Sequence, residues 1–486
     1  MKRKTKILAT VGPASDSVKM IVELINAGVN VFRLNFSHGT HEYHSKTLNN
    51  IREAMKITKK TVGVLQDICG PKIRVVPLKE DFMLKEGDTL IFDKDVKEGF
   101  KKEDGIFVTN INHPKILDLI KEDEYIYLYD GNIKVKVEKI GKTIITKVQN
   151  SAKLQSNKGV NFPNTKININ VITKKDEKDM LWGIKNDVDF MAISFVQNAN
   201  DMLKARAILE KNKGEQHLFA KIEKFDAIEN IDDIINVSDG IMVARGDLGI
   251  EVPYYRVPTL QKEIIKKCNE KSKPVITATQ MLLSMTEKEI ATRAEISDVA
   301  NAVLDGTDAV MLSEESAVGN SPVNAVETMV NTIIEIEKIY PYKKYKNVKF
   351  HDDTDTITYS TTRLAENLEA KAIFALTSSG QSAKKMARYR PQVAIWAVTH
   401  NEKTNRLLTI VWGVVPIMSV KNKKHSEKKL PVMISKIMKK LREENKLDID
   451  ATYILTAGYP VGVPGSTNFI RILREQEINY YTKDFD

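Results

Sequence analysis

Polar residues stand at the ends of several short apolar segments, often two positions apart. Because side chains at i and i+2 of a strand point to the same face, we predict that these residues project together from strand ends. They are Arg33, Asn35 and Ser37; Asp67; Lys221 and Glu223; Arg245 and Asp247; and Thr277 and Thr279. Mutual pairing of polar residues inside a barrel is the alternative interpretation. Desolvating so many charges without a role would be costly, which favours a functional site.

Two of these carboxylates suggest a metal site. Glu223 and Asp247 lie near the ends of adjacent predicted strands, which would place them about 5 Å apart. Such carboxylates repel each other unless a cation lies between them, and no His or Cys cluster stands beside them. Oxygen ligands with an otherwise open shell favour magnesium or manganese completed by substrate phosphates. Lys221 would add positive charge where a transferring phosphoryl group develops its own charge. A salt bridge to Glu223 is compatible with that role.

The usual nucleotide-binding fingerprints are missing from the sequence, namely GxxxxGK[ST], the HRD and DFG pair, and GxGxxG. Any nucleotide must therefore be held by side chains such as Arg33, Arg74 and Lys158. His38, His41 and His44 could be metal ligands, but for His41 and His44 the start of a surface helix is the preferred interpretation. A hydroxyl-rich turn, Thr377, Ser378, Ser379 and Ser382, predicts either a phosphate site or an ordinary capped turn.

Short β-branched segments alternate with amphipathic helical patterns, which indicates parallel βα units. The predicted strands cover residues 6–11, 29–36, 62–68, 188–196, 217–223, 240–248, 274–280 and 309–313, with helices at 17–27, 173–185 and 199–211. Eight units predict a closed (β/α)8 TIM barrel, with a doubly wound open sheet as the alternative.

Two further domains are predicted. About a hundred residues after Ile68 show short alternating strands, at 125–128, 134–137 and 143–148, typical of an inserted all-β lid domain. After Tyr340 the βα alternation restarts, with helices at 358–369 and 382–389 and strands at 372–377 and 394–399. We predict a barrel domain over residues 1–74 and 159–340, a lid over 75–158 and a C-terminal α/β domain over 341–486. A lysine-rich run at 421–429 is predicted to be an exposed loop.

The composition is that of an ordinary globular protein, with 42% hydrophobic and 28% charged residues. No apolar stretch approaches the roughly 20 residues that span a bilayer, and no signal peptide is recognised, so a cytoplasmic location without a membrane partner is predicted. The net charge of +10 is scattered among acidic residues, which suits phosphate ligands better than nucleic acid. Two cysteines exclude a disulfide framework.

Several motifs resemble those of the pyruvate kinase family, in order and at the family's spacing. They are TVGPAS at 10–15, RLNFSHG at 33–39, GPKIR at 70–74, KGVN at 158–161, KIE at 221–223, ARGDLG at 244–249, TATQM at 277–281, and TRAE through SDVANAV to DGTDA at 292–309. A weaker resemblance continues through Arg388, Arg390 and Trp412.

The resemblance implies transfer of a phosphoryl group between phosphoenolpyruvate and ADP, giving pyruvate and ATP, with Mg²⁺ or Mn²⁺. It implies that Lys221 stabilises the transition state and that Glu223 and Asp247 hold the metal. Arg33, Gly246, Asp247 and Thr279 would contact phosphoenolpyruvate, whereas Asn35, His38, Arg74 and Lys158 would approach the nucleotide. A homotetramer and a sugar-phosphate or nucleotide effector at the C-terminal turn are also implied.

The sequence departs from the family pattern at the potassium site. Asn35, Ser37, Asp67 and the Ile68 carbonyl match the monovalent-cation cage, but potassium-dependent members have Glu in place of Lys72 and Thr in place of Ile68. The Lys72 ammonium could supply the missing charge, so we predict weak or absent potassium dependence. Ser313 to Ser316 reads SEES, a variant of the family's SGET that keeps Glu315.

Two other functions compete with this interpretation. A metal-dependent lyase acting on 2-oxo acids would share the Glu223–Asp247 pair but would need neither Arg74 nor Lys158. A catalytically silent regulator or nucleic-acid binder is suggested only by the positive charge. ADP-dependent formation of pyruvate distinguishes the three.

Overall fold

The structure is a computed structural model that describes residues 3–163, 165–167, 169–342, 350–418, 430–458 and 467–482. The loop predicted at 421–429 lies outside these ranges, as do residues 343–349 at the predicted junction with the C-terminal domain. Within the described ranges, no helix is both long and apolar enough to cross a membrane.

The chain begins with two βα units and a third strand. These elements are β1 Lys6–Thr10, α1 Val18–Ala27, β2 Val31–Asn35, α2 His41–Thr58 and β3 Gly63–Ile68. The Ser17 side chain accepts a hydrogen bond from the Met20 amide and so caps α1. Ile21, Leu24 and Ile25 form the buried face of this helix. The helix predicted at 17–27 is confirmed.

An all-β insertion follows β3. Its strands are β4 Phe82–Leu84, β5 Thr89–Phe92, β6 Phe100–Glu103, β7 Ile106–Thr109, β8 Tyr125–Leu128, β9 Ile133–Ile140, β10 Ile144–Val148, β11 Ala152–Leu154 and β12 Val160–Asn161, with a 3-10 helix at Pro114–Asp118. Seven of them form one sheet in the order β12-β8-β9-β10-β5-β7-β6, and β11 pairs with β4. Apolar residues alternate along β9, where Ile133, Val135 and Val137 are buried. The three strands predicted here are confirmed, with β9 longer than expected.

The βα alternation then resumes. Its elements are α3 Lys174–Lys185, β13 Phe190–Ile193, α4 Ala199–Lys211, β14 His217–Ile222, α5 Phe225–Glu229, α6 Ile231–Val237, β15 Gly240–Ala244, α7 Arg245–Glu251, α8 Val257–Glu270, β16 Val275–Ala278, α9 Arg293–Asp305, β17 Ala309–Leu312, α10 Glu314–Ala317 and α11 Pro322–Glu337, with 3-10 helices at Tyr254–Arg256 and Leu283–Thr286. Thr173 and Asp176 form the reciprocal capping box that starts α3. The helices predicted at 173–185 and 199–211 are confirmed.

Eight parallel strands close into a barrel in the order β1-β17-β16-β15-β14-β13-β3-β2. The ring closes where Lys6 of β1 lies opposite Ala309 of β17. Residues on successive positions of a strand belong to different clusters, since Ile7 packs with the surrounding helices and Leu8 packs on the opposite face. The predicted TIM barrel is therefore confirmed, and the open sheet is excluded.

Three predicted strands extend too far at the barrel mouth. The strands predicted at 188–196, 240–248 and 274–280 end at Ile193, Ala244 and Ala278. Beyond the first and third, Phe195 and Thr279 have φ angles of 58° and 69°, in the left-handed region that ends a strand. Beyond the second, α7 begins directly at Arg245. The prediction that Arg245 and Asp247, or Thr277 and Thr279, share a strand face is therefore wrong.

The C-terminal part forms a separate five-stranded sheet. Its elements are α12 Asp353–Asn367, β18 Ala372–Leu376, α13 Gln381–Ala387, β19 Ala394–Thr399, α14 Glu402–Leu407, β20 Val414–Met418, α15 Leu430–Glu443, β21 Tyr453–Gly458, β22 Thr467–Leu473 and α16 Glu475–Thr482, with a 3-10 helix at Leu408–Ile410. The strand order is β20-β19-β18-β21-β22, with β22 antiparallel. Both predicted strands are confirmed. The helix predicted at 358–369 begins earlier, because the Asp352 side chain caps it by accepting from the Asp355 amide.

A buried ion pair joins this domain to the barrel. Arg390 Nη2 lies 3.0 Å from Asp308 Oδ2 and donates to the Gly306 carbonyl at 2.7 Å. The other oxygen of Asp308 accepts from the Trp412 amide at 3.0 Å. Arg390 is only 1% exposed, so the pair is shielded from solvent.

Candidate active site

A cavity of about 740 Å³ opens at the C-terminal ends of the barrel strands. Active sites of such barrels lie at this end. The structure gathers many of the predicted site residues along its wall: Arg33, Asn35, Ser37, His38, Lys72, Lys221, Glu223, Asp247 and Thr279. Arg74 and Lys158 do not line it.

Asp67 joins two cations at the base of the cavity. Asn35 of β2 lies opposite Asp67 of β3, and Arg33, two positions before Asn35 on β2, reaches the same carboxylate. Arg33 Nε donates to Asp67 Oδ2 at 2.7 Å, and Lys221 Nζ lies 3.1 Å from Asp67 Oδ1. Burial alone would raise the pKa of Asp67, but Lys221 and Arg33 outweigh it and hold that pKa below its ordinary value. Asp67 is therefore ionised at neutral pH.

Lys221 makes three polar contacts. Its Nζ lies 3.1 Å from Asp67 Oδ1, 2.9 Å from Glu223 Oε1 and 2.7 Å from Ser194 Oγ. Burial alone would lower the pKa of Lys221, but Asp67 and Glu223 outweigh it and raise that pKa above its ordinary value. Lys221 is therefore a fixed positive charge facing the cavity.

Glu223 and Asp247 both line the cavity, and the distance predicted between their carboxylates stays a prediction. Burial raises the pKa of Glu223, with Lys221 opposing the shift and Asp247 adding to it. Burial likewise raises the pKa of Asp247, with Lys221 and Lys72 opposing the shift. Two carboxylates that line one cavity, where the charge of Asp247 opposes ionisation of Glu223 and oxygen atoms are the only donors, fit a hard divalent cation. Among the described residues there is no group of three or more His, Cys, Asp or Glu suited to a metal ion.

Thr279 lies against the first turn of α7. Its hydroxyl accepts from the Gly246 amide at 2.8 Å and donates to the Ala278 carbonyl at 2.6 Å. Arg245 instead turns away from Asp247, donating to the Thr279 carbonyl at 2.8 Å and pairing with Asp298 at 2.7 Å. Arg245 therefore braces the loop that carries Thr279.

The residues predicted to approach a nucleotide separate into two groups. Asn35 and His38 line the cavity, whereas Arg74 and Lys158 lie at the root of the insertion. Arg74 Nη1 donates to the Asn157 carbonyl at 2.8 Å, and Lys158 Nζ lies 4.0 Å from the centre of the Tyr129 ring. Their contact with a nucleotide stays a prediction.

Two of the three clustered histidines have structural contacts. His41 Nε2 lies 2.7 Å from Asp179 Oδ1. The His44 ring stacks on Phe36 with 4.0 Å between ring centres, and its Nε2 lies 2.9 Å from the His38 carbonyl oxygen. These contacts agree with the preferred interpretation of His41 and His44 as helix-start residues.

The residues of the predicted monovalent-cation cage already contact groups of the chain. Both oxygens of Asp67 face cationic side chains, as described above, and the Ile68 carbonyl accepts from Ser194 Oγ at 2.6 Å. Asn35 Oδ1 accepts from the Ser37 amide at 3.1 Å. Lys72 lines the same cavity, where its charge acts on Asp247.

The predicted effector turn is held by bonds within its own domain. Thr377 Oγ1 accepts from the Gly380 amide at 2.9 Å, and Ser382 Oγ lies 2.6 Å from Thr467 Oγ1. The Ser378 carbonyl accepts from Thr404 Oγ1 at 2.8 Å, whereas Ser379 is exposed. Phosphate binding at this turn stays a prediction.

Sequence reasoning missed two residues of the fourth barrel strand's turn. Ser194 contacts Lys221, and the Phe195 amide donates to Glu223 Oε2 at 2.8 Å. Both residues fall within the strand predicted at 188–196, which ends at Ile193. Ser194 follows an apolar segment just as Asp67 does, so the rule of polar strand ends would have found it if a lone hydroxyl had been counted.

Comparison with known proteins bears directly on this geometry. A model of the pyruvate kinase barrel domain matches residues 2–326, and a model of the pyruvate kinase alpha/beta domain matches residues 355–473. The chain belongs to the pyruvate kinase family. Pyruvate kinases are phosphotransferases and are generally metal-dependent, in agreement with the carboxylate pair.

Individual pyruvate kinases match over nearly the whole chain. The pyruvate kinase of Staphylococcus epidermidis is 43% identical over 478 residues, which are 97% of this chain and 80% of that protein. The Staphylococcus aureus enzyme is 42% identical over the same shares. A crystal structure of a pyruvate kinase from Cryptosporidium parvum superposes with a TM-score of 0.90 at 36% identity, covering 97% of this chain and 96% of that one.

Proposed function

We propose that the barrel-mouth cavity transfers the phosphoryl group of phosphoenolpyruvate to ADP, giving pyruvate and ATP. The assignment of residue roles depends mainly on one observation: the Lys221 ammonium lies between Asp67 and Glu223 at the cavity wall. A fixed cation at that position stabilises charge on a transferring phosphoryl group without reorganising during the reaction.

Arg33 binds the phosphate of phosphoenolpyruvate in this proposal. Its guanidinium is oriented by Asp67 and by Thr10, whose Oγ1 accepts from Arg33 Nη1 at 3.0 Å. A guanidinium fixed on two sides loses little freedom when it binds an anion, which favours productive orientation of the substrate. Gly246 and Thr279, which contact each other, would bind the remainder of the substrate.

Glu223 and Asp247 would hold Mg²⁺ or Mn²⁺. When bound, the divalent cation supplies positive charge next to the oxygens of the substrate. The Phe195 amide orients Glu223, and Lys221 moderates the repulsion between the two carboxylates. The raised pKa values of both carboxylates predict weaker metal binding at acid pH, because protons compete with the cation.

The bonds broken and formed in the proposed reaction balance. The bond between phosphorus and the enol oxygen breaks, and a bond forms between phosphorus and a terminal β-phosphate oxygen of ADP. Lys221 faces the charge of the transferring group throughout. The enolate that remains takes a proton at its methylene carbon, and in this proposal the Thr279 hydroxyl orients a water for that step.

We further propose that potassium is dispensable. In this structure Asp67 already faces two cations, and the Lys72 ammonium lies in the cavity where its charge reaches Asp247. A bound monovalent cation would have to compete with these charges. Asn35 and the Ile68 carbonyl already accept hydrogen bonds, from the Ser37 amide and from Ser194, and a cation bound there would compete with these donors.

The quaternary structure and the effector are also proposals. Family membership supports a homotetramer and activation by a sugar phosphate or a nucleotide at Thr377 to Ser382. Light scattering during size-exclusion chromatography would test the first. Activation assays with wild type and Ser379→Asp, which adds a negative charge at an exposed position of the turn, would test the second.

One coupled assay tests the reaction itself. Pyruvate release from phosphoenolpyruvate is measured with and without ADP, Mg²⁺ and potassium. We expect release only when ADP and Mg²⁺ are both present. Release that does not require ADP would refute the proposal, because the phosphoryl group would then pass to water instead of ADP.

A further inference from the structure

The turn after β13 contacts two charged groups of the proposed phosphoryl-transfer site, Lys221 and Glu223. Ser194 Oγ lies 2.7 Å from Lys221 Nζ, and the Phe195 amide donates to Glu223 Oε2 at 2.8 Å. Ser194 is only 2% exposed, so its side chain is largely shielded from bulk water. Both residues also line the cavity. A single two-residue turn therefore fixes the proposed transition-state lysine and one proposed metal ligand.

The direction of the Ser194 bonds is determined. A serine hydroxyl has one hydrogen, and in this site the Ile68 carbonyl, 2.6 Å away, can only accept it. Towards Lys221 the oxygen must therefore act as an acceptor. An ammonium has three hydrogens, and here three acceptors surround it: Asp67, Glu223 and Ser194. The neutral Ser194 oxygen is the one acceptor that orients Lys221 without adding negative charge.

The turn is held in an unusual backbone conformation by its neighbours. Phe195 has a φ angle of 58°, which is uncommon for a residue with a side chain. Gly70 packs against it closely, since a β-carbon at Gly70 would lie 2.9 Å from Phe195 Cδ2 and 3.2 Å from Ser194 Cβ. In this conformation the Ser194 hydroxyl contacts Lys221 of β14, and the Phe195 amide donates to Glu223, the residue that follows β14. Backbone strain of this kind persists where surrounding structure enforces it.

We propose that Ser194 is a positioning residue for phosphoryl transfer: by accepting from Lys221 while donating to Ile68, it holds the ammonium at the cavity wall, and the adjacent Phe195 amide fixes Glu223 in register with it. This inference rests on the proposed function of the site and deepens it. Ser194 acts through Lys221 rather than by touching substrate. It therefore affects the chemical step more than substrate binding.

Ser194→Ala is the direct test. Loss of a hydrogen bond to a charged group predicts a decrease in kcat of about 10- to 100-fold, with KM for phosphoenolpyruvate changed by less than about threefold. Ser194→Thr keeps the hydroxyl and should recover most of the loss. Ser194→Cys, nearly the same size but a poor acceptor, should behave like alanine and serves if Ser194→Ala does not fold.

Ser238→Ala is the matched control. Ser238 is 1% exposed, and its hydroxyl donates to the Ile234 carbonyl at 2.7 Å, as Ser194 donates to Ile68, but it contacts no group of the site. It should lose stability comparably while keeping kcat. If Ser238→Ala and Ser194→Ala reduce kcat equally, or if Ser194→Ala leaves kcat within about threefold of wild type, the positioning role is refuted.

A readout independent of turnover separates this inference from the proposed function. Mn²⁺ binding to the substrate-free protein, followed by electron paramagnetic resonance, should be unchanged in Ser194→Ala because the Phe195–Glu223 contact remains. A crystal structure of the same variant should show Lys221 Nζ displaced from its wild-type position. An unmoved Lys221 would overturn the inference. A wild type without kinase activity but with Lys221 displaced in the variant would refute the proposed function alone.

Discussion

Replacing Lys221 by methionine removes one positive charge from the cavity while keeping a side chain of similar length. The structure gives this charge a site 3.1 Å from Asp67 and 2.9 Å from Glu223, with all three side chains at most 11% exposed. A preorganised cation that faces the transferring group is worth about 10³- to 10⁵-fold in kcat by analogy with arginine fingers. We therefore expect kcat to fall by that factor, with a much smaller change in KM for phosphoenolpyruvate, because Arg33 is retained.

The same variant has a predicted cost in stability. Removing one partner of a buried ion pair typically costs about 3–5 kcal/mol. Two features reduce this cost here: Glu223 can take up a proton as the pH falls, and Arg33 still neutralises Asp67. Without Lys221 the folded-state pKa of Glu223 rises further above its unfolded value. A raised carboxyl pKa adds stability below the unfolded pKa of about 4.3 and loses it as pH rises through the folded value. The deficit in melting temperature relative to wild type should therefore be smaller at pH 5.5 than at pH 8.

The assay pairs steady-state kinetics with calorimetry at both pH values. Lys175→Met is the control, since Lys175 Nζ also pairs with a buried carboxylate, Asp179, at 2.6 Å but lies outside the cavity lining. It should keep kcat. A Lys221→Met enzyme with kcat within tenfold of wild type, or a Lys175→Met enzyme equally impaired, would refute the electrostatic role. A stability deficit that does not vary with pH would refute the account of Glu223.

Three further outcomes follow from the contacts described. With tetramethylammonium in place of potassium, wild-type activity should stay within about threefold, whereas Lys72→Glu should become potassium-dependent; equal dependence in both would contradict the proposed role of Lys72. Removing divalent metal with a chelator should abolish activity and added Mn²⁺ should restore it, while Glu223→Gln should raise the Mn²⁺ dissociation constant at least tenfold in a direct titration; unchanged affinity would exclude Glu223 as a ligand. Arg390→Met should destabilise the protein by about 3–5 kcal/mol by leaving Asp308 buried and less compensated, yet kcat at 25 °C should change little; an unchanged melting temperature would show that the pair adds no stability.

The barrel could be predicted because its signal is local and repeated. Eight apolar segments separated by helical patterns fix the number of βα units, and Gly-rich turns between short alternating strands mark the insertion. The point where a strand ends was harder to predict. The strand predicted to reach Leu248 ends at Ala244, where α7 begins and Arg245 pairs with Asp298 and donates to the Thr279 carbonyl.

Residue types in the sequence identified the candidate site residues, but they did not predict which side chains contact each other. That Lys221 and Glu223 would share a strand end follows from their spacing. That Lys221 would also reach Asp67 and Ser194 depends on the order of strands around the ring, where β13 lies between β3 and β14. The predicted (β/α)8 barrel implies that order, but sequence spacing does not say which side chains meet across it. The backbone amide of Phe195 could not be anticipated either, because its direction is set by a φ angle that depends on packing against Gly70.

The carboxylate of Asp67 contacts Arg33 and Lys221, two residues with different proposed roles. Arg33 and Lys221 bind its two oxygens, so any change that moves one cation alters the field and the position of the other. Effects of substitutions at these positions should therefore be non-additive, and a double-mutant cycle should yield a coupling energy even though the two side chains serve different steps. A substitution at Arg33 that favours a new substrate should therefore also lower kcat. This coupling disfavours evolution of the pair by single substitutions.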